Sequence, residues 1–278
     1  MNNIKLMIKG FFIGIANIIP GVSGGTLMIT LGVYEKVIEA ISHFTKDIKE
    51  HLRFIFWIGI GALISIVSMS KLIVFSLDNY RLPTVLFFIG LILGGIPMLY
   101  GKVKGKINIS NIIIFLITFL FVISMMFLNS NSNEVDLGNL NVVGYILLFF
   151  VGVVASATMV IPGISGSFVL MFLGYYEPIL NRVNSLVKFN DIFTNVLVLG
   201  VFGIGVLIGI VGVSKLIEFL LNKYEVKTFS GILGFVIASC ISIVINAFNE
   251  GITVNFIQVL LGIVLFIIGY VVARKLGD

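Results

Sequence analysis

Two stretches of this sequence are apolar enough for a membrane interior yet carry residues that forbid a continuous helix. "IIPGVSGGTLMITLGVYEKVI" occupies residues 18–38, and "VIPGISGSFVLMFLGYYEPIL" occupies residues 160–180. Proline removes a backbone donor and clashes with the preceding helical turn, while the adjacent glycines permit a tight reversal. Inside hydrocarbon, each backbone group freed in this way must find a partner in protein or in water. The two segments are therefore expected to be enclosed by protein or to line a cavity.

The rest of the chain fits the same environment. Of 278 residues, 59% are hydrophobic and only 11% are charged, against roughly a quarter charged in a soluble domain. The mean hydropathy is +1.16. The apolar runs are continuous rather than alternating, which predicts helices and not barrel strands. A crossing needs about 20 apolar residues, and six runs besides the broken segments satisfy this. The expected class is an all-α, polytopic membrane protein.

The two broken segments belong to a duplication. Aligning Pro20 with Pro162 superposes Gly21, Ser23, Gly24, Leu31, Gly32, Tyr34 and Glu35 on Gly163, Ser165, Gly166, Leu173, Gly174, Tyr176 and Glu177, at an offset of 142 residues. Further on, "SKLI" at 70–73 recurs at 214–217, and Gly59, Gly61, Tyr80, Thr84 and Gly90 match Gly203, Gly205, Tyr224, Thr228 and Gly234, at an offset of 144. Matched prolines, glutamates and lysines do not arise from shared hydrophobicity. The first repeat is read as 1–128, with a hairpin at 8–41 and spans at about 54–77, 83–100 and 107–128. A polar linker, "NSNSNEVDLGNL", fills 129–140. The second repeat is 141–278, with a hairpin at 142–181 and spans at about 192–222, 228–248 and 254–273.

If each broken segment is a re-entrant hairpin, each repeat adds three crossings, an odd number, and the two repeats lie inverted. Fourteen of the 18 Lys and Arg residues then fall on one side, including Lys5, Lys9, Lys46, Lys49, Lys104 and Lys275, against Lys71, Arg81, Arg182 and Lys188 on the other. The positive-inside rule places the larger set, and both termini, in the cytoplasm. Treating each broken segment as a single crossing dissolves that bias. The first hairpin's arms have about ten residues each, or roughly 15 Å, half of the hydrocarbon; the longer arm at 142–161 either stops midway or crosses.

The expected chemistry lies at the turns. New helices start near Ser23 or Thr26 and near Ser165 or Ser167, and their unpaired N–H groups carry partial positive charge. Gly21, Ser23, Gly24, Gly25 and Thr26, with Gly163, Ser165, Gly166 and Ser167, form a candidate anion site if both turns meet at the midplane, an arrangement used by inverted-repeat transporters. Alternatively each turn merely links two packed helices. Lys71 and Lys215 sit within apolar runs, where a lysine either snorkels to the interface or receives an anion; Glu218 could pair with Lys215 at i,i+3. Glu35 and Glu177 are either solvated at the interface or serve in coupling or gating. Arg81 and Arg182 suit headgroup capture or interfacial anchoring, and Tyr34 and Tyr176 are expected to be interfacial anchors.

The lone cysteine, Cys240, rules out a disulfide framework, and His43 and His51 have no metal-ligand spacing. No Walker loop and no nucleophile with clustered Arg, His and Asp is present. The first apolar stretch lacks a signal-peptide cleavage pattern. The net charge of +5 reports orientation rather than affinity for nucleic acid. No cofactor or metal is expected.

The paired signatures, Pro20–Thr26 with Leu31–Glu35 and Pro162–Ser167 with Leu173–Ile179, resemble those of a bacterial membrane family of undecaprenyl-phosphate translocases, a group long known only as a domain of unknown function. The resemblance covers essentially the whole chain. It implies a cell-membrane lipid transporter, not an enzyme, that returns the polyprenyl-phosphate carrier from the outer to the inner leaflet for envelope polymer synthesis. The partners it implies are undecaprenyl phosphate and membrane lipid. One repeat would rock against the other in alternating access. Rival readings are a carrier of small soluble anions, a membrane enzyme acting on a lipid phosphate, and a non-transporting scaffold.

The charge count makes a direct prediction. In intact cells a Lys46→Cys thiol should resist a membrane-impermeant maleimide while a Ser132→Cys thiol in the linker reacts, and equal reactivity would undo the topology.

Overall fold

The computed structural model describes residues 2–18, 22–44, 46–126, 135–138, 140–249 and 255–277. Among these the regular structure is entirely helical. The first hairpin comprises α1 (Asn3–Ile18), α2 (Gly24–Thr30) and α3 (Tyr34–Ser42), followed by the long helices α4 (Ile48–Asn79), α5 (Arg81–Val103) and α6 (Ile109–Met126). The second half repeats the order with α7 (Val142–Val160), α8 (Gly166–Phe172), α9 (Tyr176–Val187), α10 (Ile192–Asn249) and α11 (Phe256–Gly277). Five of these, α4, α5, α7, α10 and α11, are long and apolar enough to cross a membrane. Their outer faces present large apolar side chains to the surroundings, among them Val67, Phe193 and Phe256.

The backbone repeats as closely as the sequence does. Ser23 and Ser165 precede α2 and α8 with ψ 126° in both cases. Gly32 and Gly174 end those helices at φ 66° and 76°, a left-handed conformation that glycine adopts without a Cβ penalty. This splits the returning arm of each hairpin, expected as one helix, into two short ones. Asp47 and Asp191 stand before the long helices at φ 52° and 42°. Tyr80 separates α4 from α5 at φ −135°, ψ 45°, and its counterpart Tyr224 breaks α10 at φ −134°, ψ 44°. At each break a threonine hydroxyl braces two carbonyls. Thr84 donates to Ser76 and Tyr80 at 3.2 and 2.8 Å, and Thr228 donates to Leu220 and Tyr224, both at 3.0 Å.

The expected spans 54–77, 83–100, 107–128 and 254–273 correspond to α4, α5, α6 and α11. The spans 192–222 and 228–248 form the two limbs of α10, joined at Tyr224. At 58 residues and 1.5 Å per residue, α10 is roughly 87 Å long, nearly three hydrocarbon thicknesses. The break divides it into two limbs, each long enough for one crossing. The described part of the linker folds back on the second hairpin, with Val135 N–H donating to the Gly174 carbonyl at 3.1 Å and Leu137 buried.

Small residues decide how the helices meet, as expected where lipid removes any hydrophobic drive between them. α1 lies on α4 with Gly61 against the Met7 carbonyl and Gly10 against that of Ile58. The equivalent pair, α7 and the first limb of α10, places Gly205 against the Phe149 carbonyl and Gly152 against that of Phe202. The third long helix of each half then crosses to the other half. α11 lies along α5, with Gly90 at the Phe266 carbonyl, and α6 lies along the second limb of α10, with Gly234 at the Phe115 carbonyl. The halves are interlocked rather than side by side.

These contacts separate glycines that must be glycine from those that need not be. A Cβ at Gly61 or Gly205 would overlap a backbone carbonyl, whereas one at Gly59 or Gly203 meets nothing within 4 Å. Gly61→Ala and Gly205→Ala should each cost about 1–3 kcal/mol and lower the melting temperature of the purified protein by several degrees. Gly59→Ala and Gly203→Ala should leave it unchanged or raise it.

Candidate functional site

The starts of α2 and α3, after the first break, meet the second turn. Gly163 N–H, in the second turn, donates to the Thr26 hydroxyl at 2.8 Å, just after the first. Tyr34 Oη, at the start of α3, donates to the Val160 carbonyl at 3.0 Å, where α7 ends. Between these bonds Gly25 is closely approached, since a Cβ there would lie 3.2 Å from the Met159 carbonyl oxygen and 3.3 Å from Pro162 Cα. Pro20 and Gly21 of the first turn lie outside the described residues. Tyr34, expected at the membrane interface, is instead 3% exposed. Its hydroxyl serves a carbonyl that the break before Pro162 leaves without a helical donor.

The polar groups of the two turns are not in the same condition. Ser23 precedes α2 but does not cap it; it is 5% exposed, and its hydroxyl has no partner. Ser165 precedes α8, again without capping it. It shares a hydrogen bond with Ser167 at 2.8 Å, and both serines are half-buried. Thr26 is fully buried, and its hydroxyl and Gly163 N–H satisfy one another. The groups left to receive a ligand are therefore the Ser23 hydroxyl, the Ser165–Ser167 pair and the first peptide N–H groups of the helices that follow, which include those of Gly24 and Gly166.

One participant escaped sequence reasoning. Lys9, counted there only as an orientation marker, is 2% exposed and its ammonium donates to the Leu31 carbonyl at 2.6 Å. That carbonyl terminates α2 beside the left-handed Gly32. The repeat offset puts Val151 at the equivalent position, so the second hairpin has no such tie. A lysine in an apolar hairpin arm, matched by an apolar residue in its repeat, was the signal available.

The remaining charged candidates lie away from the turns. Lys71 and Lys215 are exposed, and among the described residues neither has a hydrogen bond or ion pair. Glu218 does not pair with Lys215 as expected from i,i+3 spacing; its carboxylate lies 2.8 Å from Nδ1 of His43, at the end of α3. Glu35 pairs with Lys102 at 3.0 Å, and Lys102 also approaches Glu225 at 3.6 Å, joining the first hairpin to the break in α10. Glu177 is exposed. Arg182 is engaged by Asn195 at 3.1 Å and Asp191 at 3.9 Å, and Arg81 donates to the Leu77 carbonyl at 3.3 Å. Tyr176 is half-buried.

Comparison with known proteins supplies a context for this geometry. Residues 13–258 match the family described as undecaprenyl phosphate translocase-like. A polyprenyl-phosphate transporter of Staphylococcus aureus is 34% identical over 276 residues, covering 98% of this chain and 95% of that protein. A polyprenyl-phosphate transporter of Vibrio cholerae is 27% identical over 253 residues, covering 86% and 77% respectively. No solved structure matches the chain.

The contacts between the turns can be measured as stability. Thr26→Val strands the buried Gly163 N–H and should cost about 1–3 kcal/mol, and Tyr34→Phe about 1 kcal/mol. Tyr176→Phe should be neutral. Thermal unfolding of the purified variants checks all three.

Proposed function

We propose that this chain, which belongs to the undecaprenyl phosphate translocase-like family, moves a polyprenyl phosphate between the leaflets of the membrane in which it is embedded. The observation that carries the reading is the meeting of the two broken turns, with hydroxyls and helix-start amides gathered where two chain breaks adjoin. A relative named a polyprenyl-phosphate transporter matches along nearly the full length of both chains, which supports extending that substrate class here.

The physical problem is the phosphate. An unshielded anion cannot enter hydrocarbon without a cost of many kcal/mol, whereas the polyprenyl tail is at home there. In the proposed mechanism, the unpartnered Ser23 hydroxyl, the Ser165–Ser167 pair and the amides of Gly24, Gly25, Gly166 and Ser167 replace water around the headgroup while the tail stays in lipid. The Thr26–Gly163 and Tyr34–Val160 bonds hold the two turns in register. Lys71 and Lys215, exposed on long helices, attract the headgroup as it approaches from either leaflet. Arg81 and Arg182 add positive potential on the outer side. The Glu35–Lys102–Glu225 cluster gates the cytoplasmic side, and Glu177 is its counterpart in the second half.

The topology that fits this role has inverted repeats, with both termini in the cytoplasm of a bacterial cell, return of the carrier from the outer to the inner leaflet, and alternating access. The chain acts as a transporter rather than an enzyme.

The test is transport in proteoliposomes. Undecaprenyl phosphate added to the outer leaflet should become inaccessible to a headgroup-specific reagent without chemical change. Ser23→Ala combined with Ser165→Ala should slow this roughly tenfold, the loss expected from two hydrogen bonds of about 0.5–1.5 kcal/mol each. Release of inorganic phosphate would instead favour an enzyme, and uptake of a soluble anion without lipid movement would favour an anion carrier. Wild-type rates in the double variant would refute the site.

A further inference from the structure

Ile161 and Pro162, in the second turn, form one wall of a partly open cavity of 420 Å³, a size typical of small-molecule sites. α6 supplies Ile114 to it, and the two limbs of α10 supply Leu220 and Phe235. The lining is almost wholly apolar except at the break in α10, where Tyr224 and Lys227 close one end. The ammonium of Lys227 lies 5.6 Å from the centre of the Tyr224 ring, and that of Lys223 lies 5.5 Å from it. Neither lysine has a hydrogen bond or ion pair among the described residues. The acid on the same turn, Glu225, faces Lys102 instead. An apolar trough thus ends at the Lys227 ammonium, which no carboxylate among the described residues neutralises, with Lys223 against the same tyrosine ring.

The first half does not carry the lysine of this mouth. The repeat offset sets Pro83 opposite Lys227 and Gln258 opposite Ile114. Between α5 and α11, Gln258 Nε2 reaches the Asn79 carbonyl at 3.4 Å, and Leu86 lies against Gly262. The cationic mouth thus belongs to one side of an otherwise repeated frame.

We infer that this groove between α6 and the two limbs of α10 is a docking site for the polyprenyl phosphate, with the phosphate on Lys227 and the headgroup-proximal isoprene units in the trough leading to Pro162. Charge complementarity selects the occupant: a single-chain apolar anion matches a narrow apolar trough with a cationic mouth. Lys223 adds attraction at the mouth. Thr228 is not a ligand in this arrangement, because its hydroxyl already braces the break. The inference rests on the transport reading for its choice of lipid, and it adds where the lipid rests on the cytoplasmic side after its headgroup leaves the turns.

The experiment is photocapture in vesicles of phosphatidylethanolamine and phosphatidylglycerol holding a small fraction of undecaprenyl phosphate. A benzoylphenylalanine replaces Leu220 in the trough, or Phe150 on the outer face of α7 as a control. The full-length protein should yield an undecaprenyl phosphate adduct at position 220 far in excess of that at 150. Lys227→Glu should reduce it on the order of tenfold, and Lys227→Arg should restore it. Equal capture at both positions, predominant adducts with phosphatidylglycerol, or capture indifferent to Lys227→Glu would each overturn the site. Capture that persists when the wild-type protein shows no translocation would overturn the transport reading alone, and translocation without capture would overturn the groove alone.

Discussion

A chain break inside a membrane protein strands backbone donors and acceptors, and this fold is arranged around satisfying them. The two breaks are solved by being brought together. The Val160 carbonyl, left without a helical donor by the break at Pro162, takes the Tyr34 hydroxyl. The Gly163 amide takes the Thr26 hydroxyl, and the Leu31 carbonyl takes the Lys9 ammonium. Each partner comes from a different segment, so the turns cannot be formed independently of the surrounding helices. In a medium without water, an unmade bond of this kind is costly enough to dictate topology. The groups that remain unmatched, above all the Ser23 hydroxyl, are then the ones free to meet a polar ligand.

Duplication supplies the frame and divergence supplies the polarity. Backbone angles at Ser23 and Ser165, Gly32 and Gly174, and Tyr80 and Tyr224 agree within about ten degrees, yet the side chains around them have drifted. Lys9 faces Val151, Arg81 faces Glu225 and Pro83 faces Lys227 across the repeat. Substitutions on a fixed backbone thus give the two halves a common frame with different side-chain chemistry.

Much of this architecture was legible from spacing alone. The prolines, glycines and tyrosines that set the breaks are visible in the sequence because they act through local backbone sterics, which need no tertiary context. The long helices were visible because membrane burial demands length. What stayed hidden depends on contacts distant in sequence. Lys9 looked like a topological charge, and Tyr34 looked like an interfacial aromatic, because nothing local reveals a carbonyl on another segment. Glu218 had a plausible neighbour in Lys215, and only the fold brings His43 nearer. The split in each returning arm was implicit in Gly32 and Gly174, but a lone glycine in an apolar run does not announce its φ.

The exchange of the last helix between halves has a consequence for both motion and origin. Because α11 clasps α5 and α6 clasps the second limb of α10, the two halves cannot rock apart as separate blocks without stripping glycine-lined seams. Any rearrangement must instead slide the hairpins and breaks against a tied frame. It also follows that a lone half would be left with half a seam on each side. An ancestor encoded by one repeat would have needed a second copy to clasp, as the fused halves now clasp each other.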